Sequence, residues 1–244
     1  MNIKTKERMV TKMSRLWTLA ALTVVAATGF TSCLKNSDPQ PQQPVTYVAF
    51  VNSLGTEYGV DIFMDAKKIN SDQFKYGAAD GALFTPKNYK IDFKKFGTEV
   101  LLGSVSAPFD TSRYTTLILH GDGAGAGVHR ILETWANAST DRANVRFFNL
   151  VPNSGPVDLY IGETRVWGSR QYEDFVTGQY DQFTANNLGT FNIVAKGPGG
   201  DTLAIKEFSL AARGGFYNIY YQGIDSVTTG DLKPKISVMP YQQQ

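Results

Sequence analysis

His120 and His129 are the only two histidines of the chain, and they flank a glycine-rich run, Gly121-Asp-Gly-Ala-Gly-Ala-Gly127. If the run turns a hairpin, the imidazoles face each other, and a pair of neutral imidazoles is half of a zinc site. The other half is lacking: the one cysteine, Cys33, lies far upstream, and Asp122 or Glu133 would have to complete the ligand set. Gly121-x-Gly123-x-x-Ala126, followed by Asp141, also carries the letters of a dinucleotide fingerprint. That fingerprint works only between a strand and a helix of a parallel unit, whereas here the strand before it closes a β-unit. The run is therefore expected to be a loop in which glycine permits positive φ, with both imidazoles in solvent beside it. No metal and no cofactor is expected.

Acyl transfer needs an activated nucleophile, and the chain has no Gly-x-Ser-x-Gly elbow. Glu173-Asp174 supplies two carboxylates, but neighbours in a strand point to opposite faces and cannot flank one bond. Asp61, Asp65 and Asp80 lack the spacing of a calcium loop. Asp61 and Asp158 each follow Val and precede two apolar residues, and Asn52 and Asn149 recur at strand ends. Such recurrence points to structural work: carboxylates accepting backbone hydrogen bonds from the preceding loop, and amides forming turns.

Recognition is left to aromatic rings. Trp167, Tyr172, Phe175, Tyr180 and Phe183 crowd one stretch, and Tyr220-Tyr221 follow. Adjacent strand residues face opposite sides, so one of Tyr220 and Tyr221 meets solvent unless another sheet covers it. An exposed ring stacks on a sugar or anchors a protein. Trp167, Tyr172, Phe175, Tyr180, Tyr220 and Tyr221 are the expected binding residues, with packing in a core or between domains as the competing use of the same rings.

Before Cys33 the chain reads as an address. From Met13, Arg15 precedes the apolar run Leu16 to Ala27, which has signal-peptide length and is too short to span a bilayer. Met1 to Lys12 extends this start. Phe30-Thr31-Ser32-Cys33 resembles the lipobox of bacterial lipoproteins, which implies a signal over residues 1–32 and an acylated Cys33, with palmitate among the chains, as a membrane anchor. As the sole cysteine, Cys33 has no disulfide partner within the chain. Residues 33–45 then form a polar spacer with prolines at 39, 41 and 44. Leu34 stands where enteric lipoproteins kept at the inner membrane carry Asp, so the resemblance implies the outer membrane, facing the periplasm or the surface.

The chain has 24 Lys and Arg against 22 Asp and Glu, but five of the bases and one acid lie in the expected signal, leaving 19 bases and 21 acids. A mildly acidic body lacks the basic excess that phosphate neutralisation needs, so nucleic acid is not an expected partner.

These residues must be positioned by the body, which repeats. Val48-Ala-Phe-Val-Asn-Ser-Leu aligns with Val145-Arg-Phe-Phe-Asn-Leu-Val at an offset of 97, and Tyr114 to Gly121 aligns with Phe216 to Gly223 at 102. Each copy alternates short Val-, Ile-, Tyr- and Phe-rich runs with Gly, Asn, Asp and Pro, the rhythm of a β-sandwich. Strands are predicted near 46–52, 59–64, 73–76, 88–93, 99–105 and 114–120, and near 144–150, 157–161, 178–183, 190–195, 202–209 and 215–222. An extra strand within 128–135 and a closing edge strand at 236–239 are the remaining candidates. The domains are drawn at 46–137 and 143–240.

Val145 to Gly162, with its Pro-containing loop and Val157-Asp-Leu-Tyr160 strand, then Leu188-Gly-Thr-Phe191 and Leu210 to Tyr217, resembles the domain of unknown function 4397 family. Copy one departs from the pattern at Gly55 and at Lys87-Asn88-Tyr89. The resemblance implies all-β, tandem immunoglobulin-like β-sandwiches in envelope proteins and no reaction. Three uses fit: a non-catalytic binding or adhesion module for an envelope protein or glycan, a structural accessory subunit of an outer-membrane assembly, or an envelope-polymer hydrolase.

Overall fold

In the computed structural model, which describes residues 43–123, 125–178 and 182–241, the β-rich runs form strands in both copies. Cys33, the expected signal, most of the spacer and Tyr180 lie outside the described residues. Copy one runs β1 (Thr46–Leu54), β2 (Val60–Met64), β3 (Lys67–Lys68), β4 (Ala79–Phe84), β5 (Lys87–Lys95), β6 (Leu101–Phe109), β7 (Tyr114–Gly121) and β8 (Gly127–Leu132). Copy two runs β9 (Ala143–Asn149), β10 (Val157–Ile161), β11 (Thr164–Arg170), a short helix α1 (Tyr172–Val176), β12 (Thr184–Asn186), β13 (Gly189–Lys196), β14 (Thr202–Leu210), β15 (Phe216–Gln222) and β16 (Lys235–Tyr241).

The strand orders repeat. An inner sheet β4-β1-β7-β8 and an outer sheet β3-β2-β5-β6 form the first sandwich, and β12-β9-β15-β16 with β11-β10-β13-β14 form the second. In each inner sheet the first and last long strands pair in parallel, β1 with β7 and β9 with β15, while the flanking pairs are antiparallel. The all-β, tandem immunoglobulin-like reading of the sequence holds.

Outer strands follow a period of two. In β5, Tyr89, Ile91 and Phe93 are buried while Asn88 and Lys90 are exposed, as expected of a sheet with one face in water. The inner strands differ: β7, β9 and β15 are buried almost throughout and β1 nearly so, on both faces. From β1, Val48 and Phe50 enter the first core with Ile62, Ile91 and Phe93. Val51, on the opposite face, joins Ile118, Ile131, Phe148, Leu150, Phe175 and Tyr220 in a layer between the two inner sheets. The second core gathers Val145, Phe147, Leu159, Ile193, Ile219 and Tyr221. Each such side chain stabilises by roughly 1.5–3 kcal/mol on leaving water, and the middle layer joins the two sandwiches into one compact unit.

The repeated polar residues do structural work. Asn52 accepts the Leu54 N–H at 3.0 Å and donates to the Phe74 carbonyl at 2.7 Å. Asn149 likewise accepts the Val151 N–H at 3.1 Å and donates to the Arg170 carbonyl at 3.2 Å. Each is an Asx turn that also ties the strand end to a distant segment. Asp61 accepts the Gly97 N–H at 2.9 Å and pairs with Lys68, and Asp158 accepts the Ser169 N–H at 2.7 Å and pairs with Arg165. The donors belong to later segments, not to the preceding loop as expected.

Several strands were placed wrongly. Residues 73–76 provide only a bridge from Phe74 to Val60, and β4 lies further on, over Ala79-Asp-Gly-Ala-Leu-Phe84, whose Gly and Asp disguise it. Of 178–183, residues 179–181 lie outside the described residues and the rest carry no strand. Glu173 and Asp174 occupy the first turn of α1, where Asp174 accepts the Gln171 N–H at 2.8 Å. Acidic groups suit that end of a helix, so this pair caps a helix and does not decorate a strand.

Candidate functional site

The structure places the expected aromatic residues mostly inside. Phe175, Tyr220 and Tyr221 are 3%, 2% and 1% exposed. Both faces of β15 are covered: Tyr221 enters the second core, and Tyr220 stacks on Phe148 at 5.8 Å between the inner sheets. These three rings present no face to a ligand. Trp167 is half-buried against the second core, 6.3 Å from the Phe147 ring, and Tyr172 is half-buried on α1.

Neither imidazole stands free in solvent. His120 is 7% exposed and packs edge-on to Phe175 at 4.9 Å, while His129 meets the same ring at 4.6 Å. Burial, then the charge of His129, holds the His120 pKa down at about 4. Nδ1 of the neutral ring shares a hydrogen bond with the Tyr172 hydroxyl, 2.6 Å away. The glycine run is the β7–β8 hairpin loop, with Gly121 and Gly123 at φ of 111° and 90°. Among the described residues no group of three or more His, Cys, Asp or Glu could hold a metal ion.

An open groove lies elsewhere, where the inner sheets end unevenly. On the inter-sheet face of β1 and β4, Tyr47 pairs with Leu83 and Ala49 with Gly81. Across from them run Met239, Pro240 and Tyr241 of β16, and Tyr114 stands beside Tyr47 in the register of β1 with β7. These residues, with Ala79 and Asp80, line a groove of about 440 Å³. The Tyr47, Tyr114 and Tyr241 rings contact one another with centroids 5.6, 6.3 and 6.5 Å apart at tilted or edge-on angles. Gly81 leaves room for this ring position, since a Cβ there would lie 2.2 Å from the Tyr47 hydroxyl. Asp80 is exposed, and its Oδ1 accepts the Gly81 N–H at 2.8 Å. Burial, then the Asp80 carboxylate and Tyr114, raises the Tyr47 phenol above its ordinary pKa.

The far wall of the groove connects to a buried polar network. Tyr241 Oη lies 3.2 Å from Thr116 Oγ1, which donates to Glu133 Oε1 at 2.5 Å. Glu133 accepts Arg146 at 3.0 Å, and Arg146 also donates to Asn218 at 3.0 Å. The Arg146 guanidinium sits 4.3 Å from the Phe183 ring and 5.0 Å from that of Phe148. The reading of single residues missed Tyr47, Tyr114 and Tyr241. The signal that finds them is the difference between the copies, where Tyr47-Val-Ala49 faces Asn144-Val-Arg146.

The groove offers aromatic faces, phenolic hydroxyls and one carboxylate, and among the described residues no histidine, lysine or arginine lines it. That set suits non-covalent recognition of a neutral or cationic group.

A family model described as a domain of unknown function (DUF4397) matches residues 46–207. No curated protein matches the chain. Among solved structures, the N-terminal domain of AlgF from P. aeruginosa is similar at 18% identity and a TM-score of 0.29, over 39% of this chain and 100% of that one. A CBM26-family module, CBMbc of Amy13K from Eubacterium rectale, solved with maltoheptaose, is similar at 10% identity and a TM-score of 0.26, over 82% of this chain and 97% of that one.

Proposed function

The chain belongs to the domain of unknown function 4397 family, and on that premise we propose that it is a non-catalytic binding module for an envelope protein or glycan, held at the outer membrane by an acyl chain on Cys33. The groove bounded by Tyr47, Tyr114, Tyr241 and Asp80 carries this reading. Three rings and a carboxylate at the seam of two rigid sandwiches are pre-ordered, so little side-chain entropy is lost when a ligand arrives. A polymer hydrolase would call for two carboxylates or a histidine in the cleft, and Asp80 is the one carboxylate lining the groove among the described residues.

The accessory-subunit reading draws on a different surface. Val100 and Leu101 are 56% and 54% exposed at the β5–β6 turn, and Ile205 is 60% exposed on β14. Apolar side chains on outer-sheet edges suit packing against a neighbouring subunit.

The test uses the full chain purified in detergent, applied to a glycan array and analysed for co-purifying envelope proteins. Binding that falls about tenfold in Tyr47→Ala and Tyr114→Ala supports the groove as the working surface. Binding indifferent to both substitutions but lost in Ile205→Asp transfers the role to the outer sheets. Fractionation of a Cys33→Ser chain tests the anchor: release from the membrane is expected, and retention overturns it.

A further inference from the structure

The strand registers align the two copies residue by residue, and the alignment explains why the groove exists. Ala49 lies opposite Thr116 of β7, as Arg146 lies opposite Asn218 of β15. Ala49 also lies opposite Gly81 of β4. Continuing the β9–β12 register by one residue beyond Val145–Thr184 puts Phe183 beside Arg146. At the outer edges, the Glu133 N–H bonds the Tyr114 carbonyl just as Tyr241 pairs with Phe216. Copy two therefore has Arg146 and Phe183 where copy one has Ala49 and Gly81, and copy one's Glu133 matches copy two's Tyr241.

Because an end residue of each edge strand reaches the other copy's inner sheet, Glu133 bonding Arg146 and Tyr241 meeting Tyr47, these substitutions create two unlike ends in the middle layer. At one end Arg146 fills the space, its guanidinium between the Phe148 and Phe183 rings and bonded to Glu133. At the other end a methyl group and a hydrogen stand in the corresponding positions, the end of the Tyr47 ring lies over Gly81, and beside them opens the groove of about 440 Å³.

We propose that this groove receives an arginine side chain from a protein partner, supplying from outside the guanidinium that copy two supplies from within. The inference rests on the binding-module reading above and names its ligand. Ring faces come from the half-buried Tyr47 and Tyr114, with Tyr241 packed behind them, and guanidinium planes stack on such faces. The carboxylate comes from Asp80 in place of Glu133, on the groove rim where an incoming cation keeps part of its hydration. Leu83, 53% exposed, and Met239 line the path of the alkyl stem. No basic residue lines the groove among the described residues, so an anionic ligand would find no opposite charge there.

The test is an NMR titration of the full chain in detergent, with ¹³C-labelled tyrosine rings, against acetyl-Gly-Arg-Gly-amide, its citrulline analogue and chitobiose. The arginine peptide is expected to shift the Tyr47 and Tyr114 ring signals and to bind about threefold or more tightly than the isosteric, uncharged citrulline peptide, the range of an exposed ion pair. Asp80→Asn, an exposed substitution, is expected to abolish that difference. Ala49→Arg with Gly81→Phe, which copies the plug of the second copy, is expected to remove the shifts. Equal binding of arginine and citrulline peptides, or an Asp80→Asn chain that still tells them apart, overturns the proposal. Ring shifts with chitobiose and none with the arginine peptide overturn it too, while leaving the binding-module reading in place. Shifts with none of the probes overturn the proposal, and a glycan array and co-purification that are also blank remove the module reading with it.

Discussion

Arg146 and Glu133 meet at 3.0 Å with side chains 1% and 0% exposed, so the layer joining the two sandwiches has an ion pair cut off from water. Removing one member strands the other in a place water does not reach, at a cost of about 3–5 kcal/mol. Arg146→Met and Glu133→Leu alone are expected to lower unfolding free energy by that amount in urea titrations. The double variant is expected to recover most of the loss, because an apolar pair of similar volume suits the layer. Equal loss in single and double variants would show that side-chain shape, not charge, holds the layer.

His120 makes the fold sensitive to acid. Its pKa is about 4 in the folded chain against 6.5 when unpacked, so the unfolded state binds the proton first as pH falls. The stability from keeping this ring neutral is complete above about pH 6.5 and lost progressively down to about 4, amounting to roughly 3 kcal/mol. His120→Gln, which places the residue of the equivalent position Gln222 there, is expected to flatten that part of the stability profile. An unchanged slope between pH 6.5 and 4 in the variant would assign the acid sensitivity to other groups.

Asn52 and Asn149 hold equivalent turns, so their truncation is expected to cost alike. Asn149→Ala leaves the buried Val151 N–H without its acceptor, and Asn52→Ala does the same to the Leu54 N–H. Each is expected to destabilise by about 1–3 kcal/mol. Chemical denaturation of the two variants checks this, and a cost in one copy alone would deny the shared role.

The groove depends on the absence of a side chain at Gly81. Gly81→Ala puts a methyl group against the Tyr47 hydroxyl and is expected to swing the ring while lowering stability by less than about 1 kcal/mol, since β4 is an exposed edge. The Tyr47 ring signals in NMR should move with little change in the unfolding midpoint. Unmoved ring signals would mean that the backbone of β4 yields instead.

The sequence makes the duplication legible because alternation and turn residues are local, and two copies of one pattern reinforce each other. The strand orders β4-β1-β7-β8 and β12-β9-β15-β16 match accordingly. Burial of β15 on both faces was not legible: Tyr220 is hidden by a sheet over seventy residues away in the chain, and no window of sequence contains that neighbour. The same blindness made Phe175 and Tyr221 look like ligand rings. The groove is inconspicuous in the sequence because small residues, Ala49 of β1 and Gly81 of β4, border it, the latter on a strand whose Asp and Gly resemble a turn. Only the contrast with Arg146 and Phe183 gives their smallness a meaning.

The proposed working surface of the tethered module is the seam beside β4. A photo-crosslinking residue, benzoylphenylalanine, placed at Leu83 in the full chain within its own envelope tests this directly, with the same residue at Ile205 as control, since both sites are exposed on the surface. The account predicts a discrete adduct on irradiation from position 83 that is weakened by Asp80→Asn, and none from 205. No adduct at 83, or the same adduct from both positions, would contradict it.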